Sequence, residues 1–337
     1  MAKHKLLLPL TLLAILIASL VVVSRPSGAQ RKVGAPFVPP DRKTRIAAIG
    51  SLRNVPRDLR SAFTPGDDFD PIPEPGPSDW LTHHAESGQT FGEFTRGYPN
   101  RPDQKRNRLY LIPLGDFSNQ AGADGENTNY APDLKSMETF AGAFFGMKTT
   151  FLPQQTLDGL PIKQRERRGG EPQLLSTDVL SWLKTQTPDD AYCVVALTMH
   201  DLYPAEDWNF VFGQASLRDR VGVYSFARYL PSFHGEKADE NTPSLVIRRS
   251  CRVLAHETGH MFGIKHCIHF HCLMNGSNHL QESDAAPIHL CPVCLRKLHS
   301  SVHFDIHDRY EKLRDFSEQA KWNEEATWIR QRIKVIE

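Results

Sequence analysis

The stretch Ala255–His266 reads AHETGHMFGIKH. His256 and His260 stand four residues apart, so on a helix both imidazoles leave the same face one turn apart and can share one zinc ion. Glu257 follows the first histidine and projects about 100° round the helix from it, near enough to reach a metal-bound water without binding the metal. Gly263 comes three residues after His260, where a left-handed residue can end the helix and turn the chain, returning His266 towards the metal as a third ligand. Three histidines leave a fourth coordination position open for water.

Just downstream, Cys267, Cys272, Cys291 and Cys294 form a C-x4-C pair and a C-x2-C pair. Four clustered thiolates suit a closed structural zinc site, and in oxidising surroundings they also suit two disulfides. Cys267 directly follows His266, so the second site would clamp the third ligand of the first. Cys193, in an apolar strand, and Cys251, just before the zinc helix, read as buried free thiols. His269, His271, His279, His289, His299, His303 and His307 crowd the same region and read as surface or capping residues.

Upstream, Arg108–Pro113 reads as a strand, Ala131–Phe145 as a helix and Lys148–Leu152 as a second strand. Ser176–Gln186 opens with capping residues and continues as an amphipathic helix, and Ala191–Thr198 is a fully apolar strand. Asn209–Phe212 and Val221–Phe226 read as short strands before a long helix from about Leu245 into Met261. This alternation predicts an α/β sandwich with a mixed, twisted sheet over residues 106–320.

Residues 30–105 are punctuated by proline, nine between Pro36 and Pro77, and read as a tether or loosely packed arm. The first 29 residues stand apart: Met1–Lys5 carries two lysines, Leu6–Val23 is uncharged and apolar, and Ser27-Gly28-Ala29 offers small residues where a signal peptidase cuts. The run is also just long enough to anchor the chain in a bilayer, so export leaves the protein either released or membrane-attached.

Lys plus Arg number 40 against 39 Asp plus Glu, a net charge of +1, which supplies no field to gather phosphates and argues against a nucleic-acid partner. Apolar residues make up 40% of the chain and charged ones 23%, the balance of an ordinary folded protein. Oligomeric state is not written in these features.

The string HETGHMFGIKHCIHFHCLMNGSN, closing with LCPVCLRKL, resembles the archaemetzincins, a branch of the metzincin metallopeptidases that joins the long zinc motif to a four-cysteine zinc site. Ala196–Tyr229 and Arg106–Phe117 are similar to the family's segments before the active helix, so the likeness runs from about Gly92 to Leu298. The resemblance implies a peptidase fold with an upper mixed sheet, an active-site helix, a small C-terminal part and a cleft between them. It also implies that Met274 forms an apolar floor under the histidines. From the family layout Asn209–Gly213 is nominated as a sheet edge for a substrate peptide to pair with, and a buried core strand is an equally good reading of the same residues. The expected activity is hydrolysis of peptide bonds by a zinc-activated water with Glu257 as general acid/base, using two zinc ions per chain. The competing reading is an inactive zinc protein that presents the same fold to a partner.

Overall fold

The structure, a computed structural model, describes residues 36–118, 130–166 and 172–337. The apolar run 6–23 and the cleavage site after it lie outside the described residues. Among those described, no helix is long and apolar enough to cross a membrane.

Among the described residues, eight strands form two sheets: β1 (Arg108–Leu114), β2 (Lys148–Phe151), β3 (Gln164–Glu166), β4 (Pro172–Leu175), β5 (Ala191–Thr198), β6 (Asp201–Tyr203), β7 (Gly213–Ser216) and β8 (Val221–Ser225). The larger sheet has the order β2-β1-β5-β8-β7, parallel throughout except for the antiparallel β7 at its end. The smaller sheet runs β3-β4-β6. The expected mixed sheet is present, and β1, β2, β5 and β8 follow the predicted strands closely.

Both faces of that sheet are covered, as its parallel strands require. Leu109 and Leu111 of β1, with Cys193, Val195 and Leu197 of β5, face a core shared with α4 (Leu134–Phe145) and α6 (Thr242–Met261). Tyr110 and Ile112 of β1, with Val194 and Ala196 of β5, face the other way onto α5 (Ser176–Gln186). The period-2 alternation of an extended chain divides one apolar run between two cores. Asp133 caps α4, accepting from the Ser136 backbone N–H at 2.7 Å, whereas Ser176 does not cap α5. Its hydroxyl turns instead to the Tyr203 carbonyl, 3.1 Å away, tying α5 to the small sheet.

Two expectations are corrected by the structure. Residues 209–212 are not a strand of the main sheet. The Val211 N–H donates to the Leu202 carbonyl at 2.9 Å, and the Arg228 guanidinium lies 3.2 Å from the centre of the Phe210 ring. These contacts hold the segment against the small sheet and bury Phe210 and Val211, so the end strand is β7, which begins directly after it at Gly213. The proline-rich segment from 36 to 105 is no loose arm either. It forms α1 (Arg42–Ile49), α2 (Trp80–His83) and α3 (Phe91–Arg96), and buries Ile49, Phe63, Phe69 and Phe94 in the main core. Proline prevents long regular elements but does not prevent burial.

The compact body also extends past residue 320. After α7 (Leu280–Ala285), α8 (Pro292–Val302) and α9 (Ile306–Gln319), helix α10 (Asn323–Ile336) folds back along α9 and fastens the N-terminal segment. The fully buried Arg332 pairs with Asp68 at 3.0 Å and donates to the Ser61 and Ala62 carbonyls, each 2.8 Å away. Trp328 Nε1 donates to the Asp68 carbonyl at 2.8 Å. Asp68→Ala leaves that guanidinium without its carboxylate inside the protein, and the expected loss of stability is about 3 kcal/mol. A urea midpoint equal to that of the unaltered chain would show that the segment does not pack on α10.

Candidate metal centre

Helix α6 carries the first two histidines. Its first turn holds Pro243, whose missing N–H costs nothing there. At its other end the Gly263 N–H donates to the His260 carbonyl at 2.8 Å, with φ of +83° at Gly263. That left-handed turn reverses the chain and carries His266 back alongside the helix. Ring centroids of His256, His260 and His266 lie 4.7, 5.2 and 5.0 Å apart in the three pairings. The structure therefore brings together the three residues that the sequence nominated.

The hydrogen bonds on the rings fix which nitrogens face one another. His256 Nδ1 is 3.0 Å from the Leu273 carbonyl oxygen, His260 Nδ1 is 2.6 Å from that of Ile264, and His266 Nδ1 is 2.6 Å from Glu86 Oε1. Each partner only accepts, so each Nδ1 carries the hydrogen, and a ring in its neutral form then has its lone pair at Nε2. The Nε2 atoms of His256 and His260 lie 3.1 Å apart, and His266 Nε2 is buried without a partner. Three converging lone pairs fit a cation bound at the centre, which is the donor set and neutral tautomer that zinc takes.

Burial and the neighbouring rings hold His256 well below the usual imidazole range, and burial with His266 beside it brings His260 down to about 4. Both therefore stay neutral and ready to ligate. Burial lowers His266 too, but the Glu86 carboxylate outweighs it and the net shift is upward. Burial raises Glu257 to about 7, with His266 pulling weakly the other way. Glu257 lines the cleft beside His256, together with Phe212, Tyr229, Ser277 and Leu280.

Met274 lies against α6 at Gly259, between the turns that carry the two helical histidines. A Cβ placed on Gly259 would come within 2.8 Å of its sulfur. The Met274 carbonyl accepts from the Cys267 N–H at 2.8 Å, which ties Met274 to the residue after His266. The four nominated cysteines are all buried, and their sulfurs lie within 4.8 Å of one another. Cys267 and Cys291 sulfurs are 3.7 Å apart, a neighbour distance and not the ~2.05 Å of a disulfide bond. The Cys272 sulfur accepts from the backbone N–H groups of Met274 and Cys291 at 3.5 and 3.3 Å, as a thiolate ligand does. The four-fold cluster fits a structural zinc better than two bonded pairs. Cys193 and Cys251 are buried free thiols, as expected.

Glu86, Trp80, Gln89 and Tyr229 at or around this site were not nominated from sequence. The first three lie in the irregular N-terminal segment, where no periodicity marks a residue. Of Tyr203, Tyr224 and Tyr229, which precede α6 in the chain, only Tyr229 lines the cleft, while the Arg165 guanidinium lies 3.8 Å from the centre of the Tyr203 ring and Tyr224 is wholly buried. His279 is a capping residue, its Nδ1 accepting from the Glu282 N–H at 3.2 Å at the start of α7.

The mixed sheet, the motif helix and the histidine centre define a zinc metallopeptidase. The sequence profile described as Peptidase family M54 matches residues 176–300. Archaemetzincin-2 of Macaca fascicularis is 37% identical over 283 residues, covering 76% of this chain and 77% of that protein. Archaemetzincin-2 of Mus musculus is 36% identical over 294 residues, covering 80% of each. The crystal structure of archaemetzincin from Methanopyrus kandleri is 26% identical with a TM-score of 0.42, covering 60% of this chain and 98% of that one. This chain belongs to the archaemetzincin family.

Gly259→Ala tests the packing under the histidines. In an ordinary helix the change stabilises by about 0.5–1 kcal/mol. Against Met274 it should instead destabilise, by about 1–3 kcal/mol, and lower the thermal midpoint. A raised midpoint would place Met274 away from the helix.

Proposed function

We propose that this chain hydrolyses peptide bonds at a zinc ion held by His256, His260 and His266, and that Cys267, Cys272, Cys291 and Cys294 hold a second, structural zinc. The observation that supports this most directly is the convergence of three Nε2 lone pairs beside a buried carboxylate at the edge of a cleft. A zinc ion there supplies a Lewis acid that polarises the scissile carbonyl and makes a water acidic enough to attack near neutral pH.

The protein's own groups do the rest. Glu257, one residue from the first ligand and raised to about 7 by burial, is poised to take a proton from the attacking water and return it to the departing amine. No covalent bond between enzyme and substrate forms. The Nδ1 hydrogen bonds of the three histidines keep them from rotating as charge develops. Tyr229, which lines the cleft with Glu257, is placed to contact a bound peptide. Peptides and proteins are the substrate class, and the apolar segment 6–23 directs the chain to export, as a cleaved signal or a retained anchor.

Glu257→Gln keeps the shape and removes the base. The expected result is two zinc ions per chain, as in the unaltered protein, with chelator-sensitive peptide hydrolysis lowered by about 10²- to 10⁴-fold. His256→Ala should reduce the count from two zinc ions to one, measured by elemental analysis of the purified chain. Wild-type hydrolysis by Glu257→Gln would remove Glu257 from the mechanism, and an unchanged metal content in His256→Ala would remove the histidines from the site.

A further inference from the structure

The three histidines are not fixed in the same way. His256 and His260 ride on α6, and their Nδ1 groups bond backbone carbonyls close by in sequence. His266 sits in the turn after Gly263, where no helix holds it. Its Nδ1 partner is a side-chain carboxylate, Glu86 Oε1 at 2.6 Å, from 180 residues upstream and outside the stretch that the family profile matches.

The surroundings hold Glu86 to that task. Trp80 Nε1 donates to the same Oε1 at 2.6 Å, and the Trp80 ring stands edge-on to His266 with centroids 5.2 Å apart. Trp80 is itself held, its backbone N–H donating to the Glu282 carboxylate at 3.0 Å and its ring lying on Gly276, where any Cβ would come within 2.6 Å. Three residues on from Glu86, Gln89 grips the turn from both sides. Its Nε2 donates to the Gly263 carbonyl at 3.2 Å and its Oε1 accepts from the Lys265 N–H at 3.1 Å. Between them Gly88, at φ of +68°, lets the backbone press onto Ile268, where a Cβ would be 2.5 Å from that side chain. The segment thus bonds the metal turn at Gly263, Lys265 and His266.

We propose that Glu86 is a positioning residue for the metal centre: its carboxylate, held by Trp80, fixes the tautomer and orientation of His266 and strengthens Nε2 as a ligand, so that the N-terminal segment governs how tightly the catalytic zinc is kept. A ligating imidazole whose other nitrogen donates to a carboxylate is a better donor, and removing such a partner typically weakens metal binding by about 10- to 100-fold. Glutamine at the same place keeps the hydrogen bond and loses only the charge.

The proposal rests on the three-histidine zinc reading, and zinc binding by the full chain separates the two. Zinc affinity is measured by competition with a chromogenic chelator, with the four-cysteine metal as an internal reference. Expected for Glu86→Ala is a weakening of one zinc by about 10- to 100-fold with the other unchanged, and for Glu86→Gln a loss of about tenfold or less. In the cobalt-substituted chain, the visible absorption of the histidine-held ion shifts in both variants without loss of intensity, a change that general loosening of the fold does not produce. Trp80→Phe keeps the ring and deletes the donor, so it gives a smaller loss in the same direction. Should Glu86→Ala not fold, Glu86→Gln and Trp80→Phe decide, and wild-type affinity and spectrum in both would overturn the role of Glu86. If His266→Ala also binds two zinc ions as tightly as the unaltered chain, the three-histidine reading itself fails. If His266→Ala loses one and the Glu86 and Trp80 variants do not, only the positioning role fails.

Discussion

Two neutral imidazole nitrogens with lone pairs facing each other across 3.1 Å repel, and a third lone pair aimed at the same point makes matters worse. Protein interiors rarely leave such groups without a partner, because the cost of an unmet buried polar atom is about 1–3 kcal/mol. The arrangement is costly alone and favourable around a cation. Much of the surrounding structure serves to hold it: a carbonyl on each helical histidine, a carboxylate on the third, and Met274 beneath.

The two proposed metal sites are mechanically one piece. His266 and Cys267 are adjacent, the Cys267 N–H bonds the Met274 carbonyl, and the Met274 N–H bonds the Cys272 sulfur. A displacement at the cysteine cluster is therefore passed within a few bonds to the third histidine and to Met274, which packs on α6 at Gly259. Helix α8 extends the linkage, since Cys294 lies in its first turn and Lys297 Nζ donates to the Gln89 carbonyl at 2.5 Å. The N-terminal segment is in turn fastened at the far end by Arg332 of α10. The ends of the described chain thus brace a centre that the middle of the chain supplies.

What was legible in the sequence follows from short-range geometry. An i, i+4 histidine pair on a helix must share a face, a glycine three residues on can reverse the chain, and apolar runs of strand length in an α/β order form a covered sheet. For that reason β1, β2, β5, β8, α4, α5 and α6 were predictable, as were His256, His260, His266 and the four cysteines. The strands β3, β4 and β6 were not, because they are short and no apolar run or alternation marks them off from the loops around them. The shift of the end strand from 209–212 to 213–216 was equally hidden, since it depends on Arg228 and Leu202 capturing Phe210 and Val211.

The sequence by itself determined the chemistry, namely which side chains can hold zinc and which carboxylate stands next to them, because those residues lie within one continuous stretch, from His256 on its helix to Cys294 at the start of α8. Only the tertiary structure decided what keeps them in place. Glu86 meets His266, Gln89 meets the turn at Gly263 and Asp68 meets Arg332 across roughly 180 to 260 residues of chain. Contacts of that separation leave no periodic trace in a proline-broken segment, and they exist only once the core has closed around both partners.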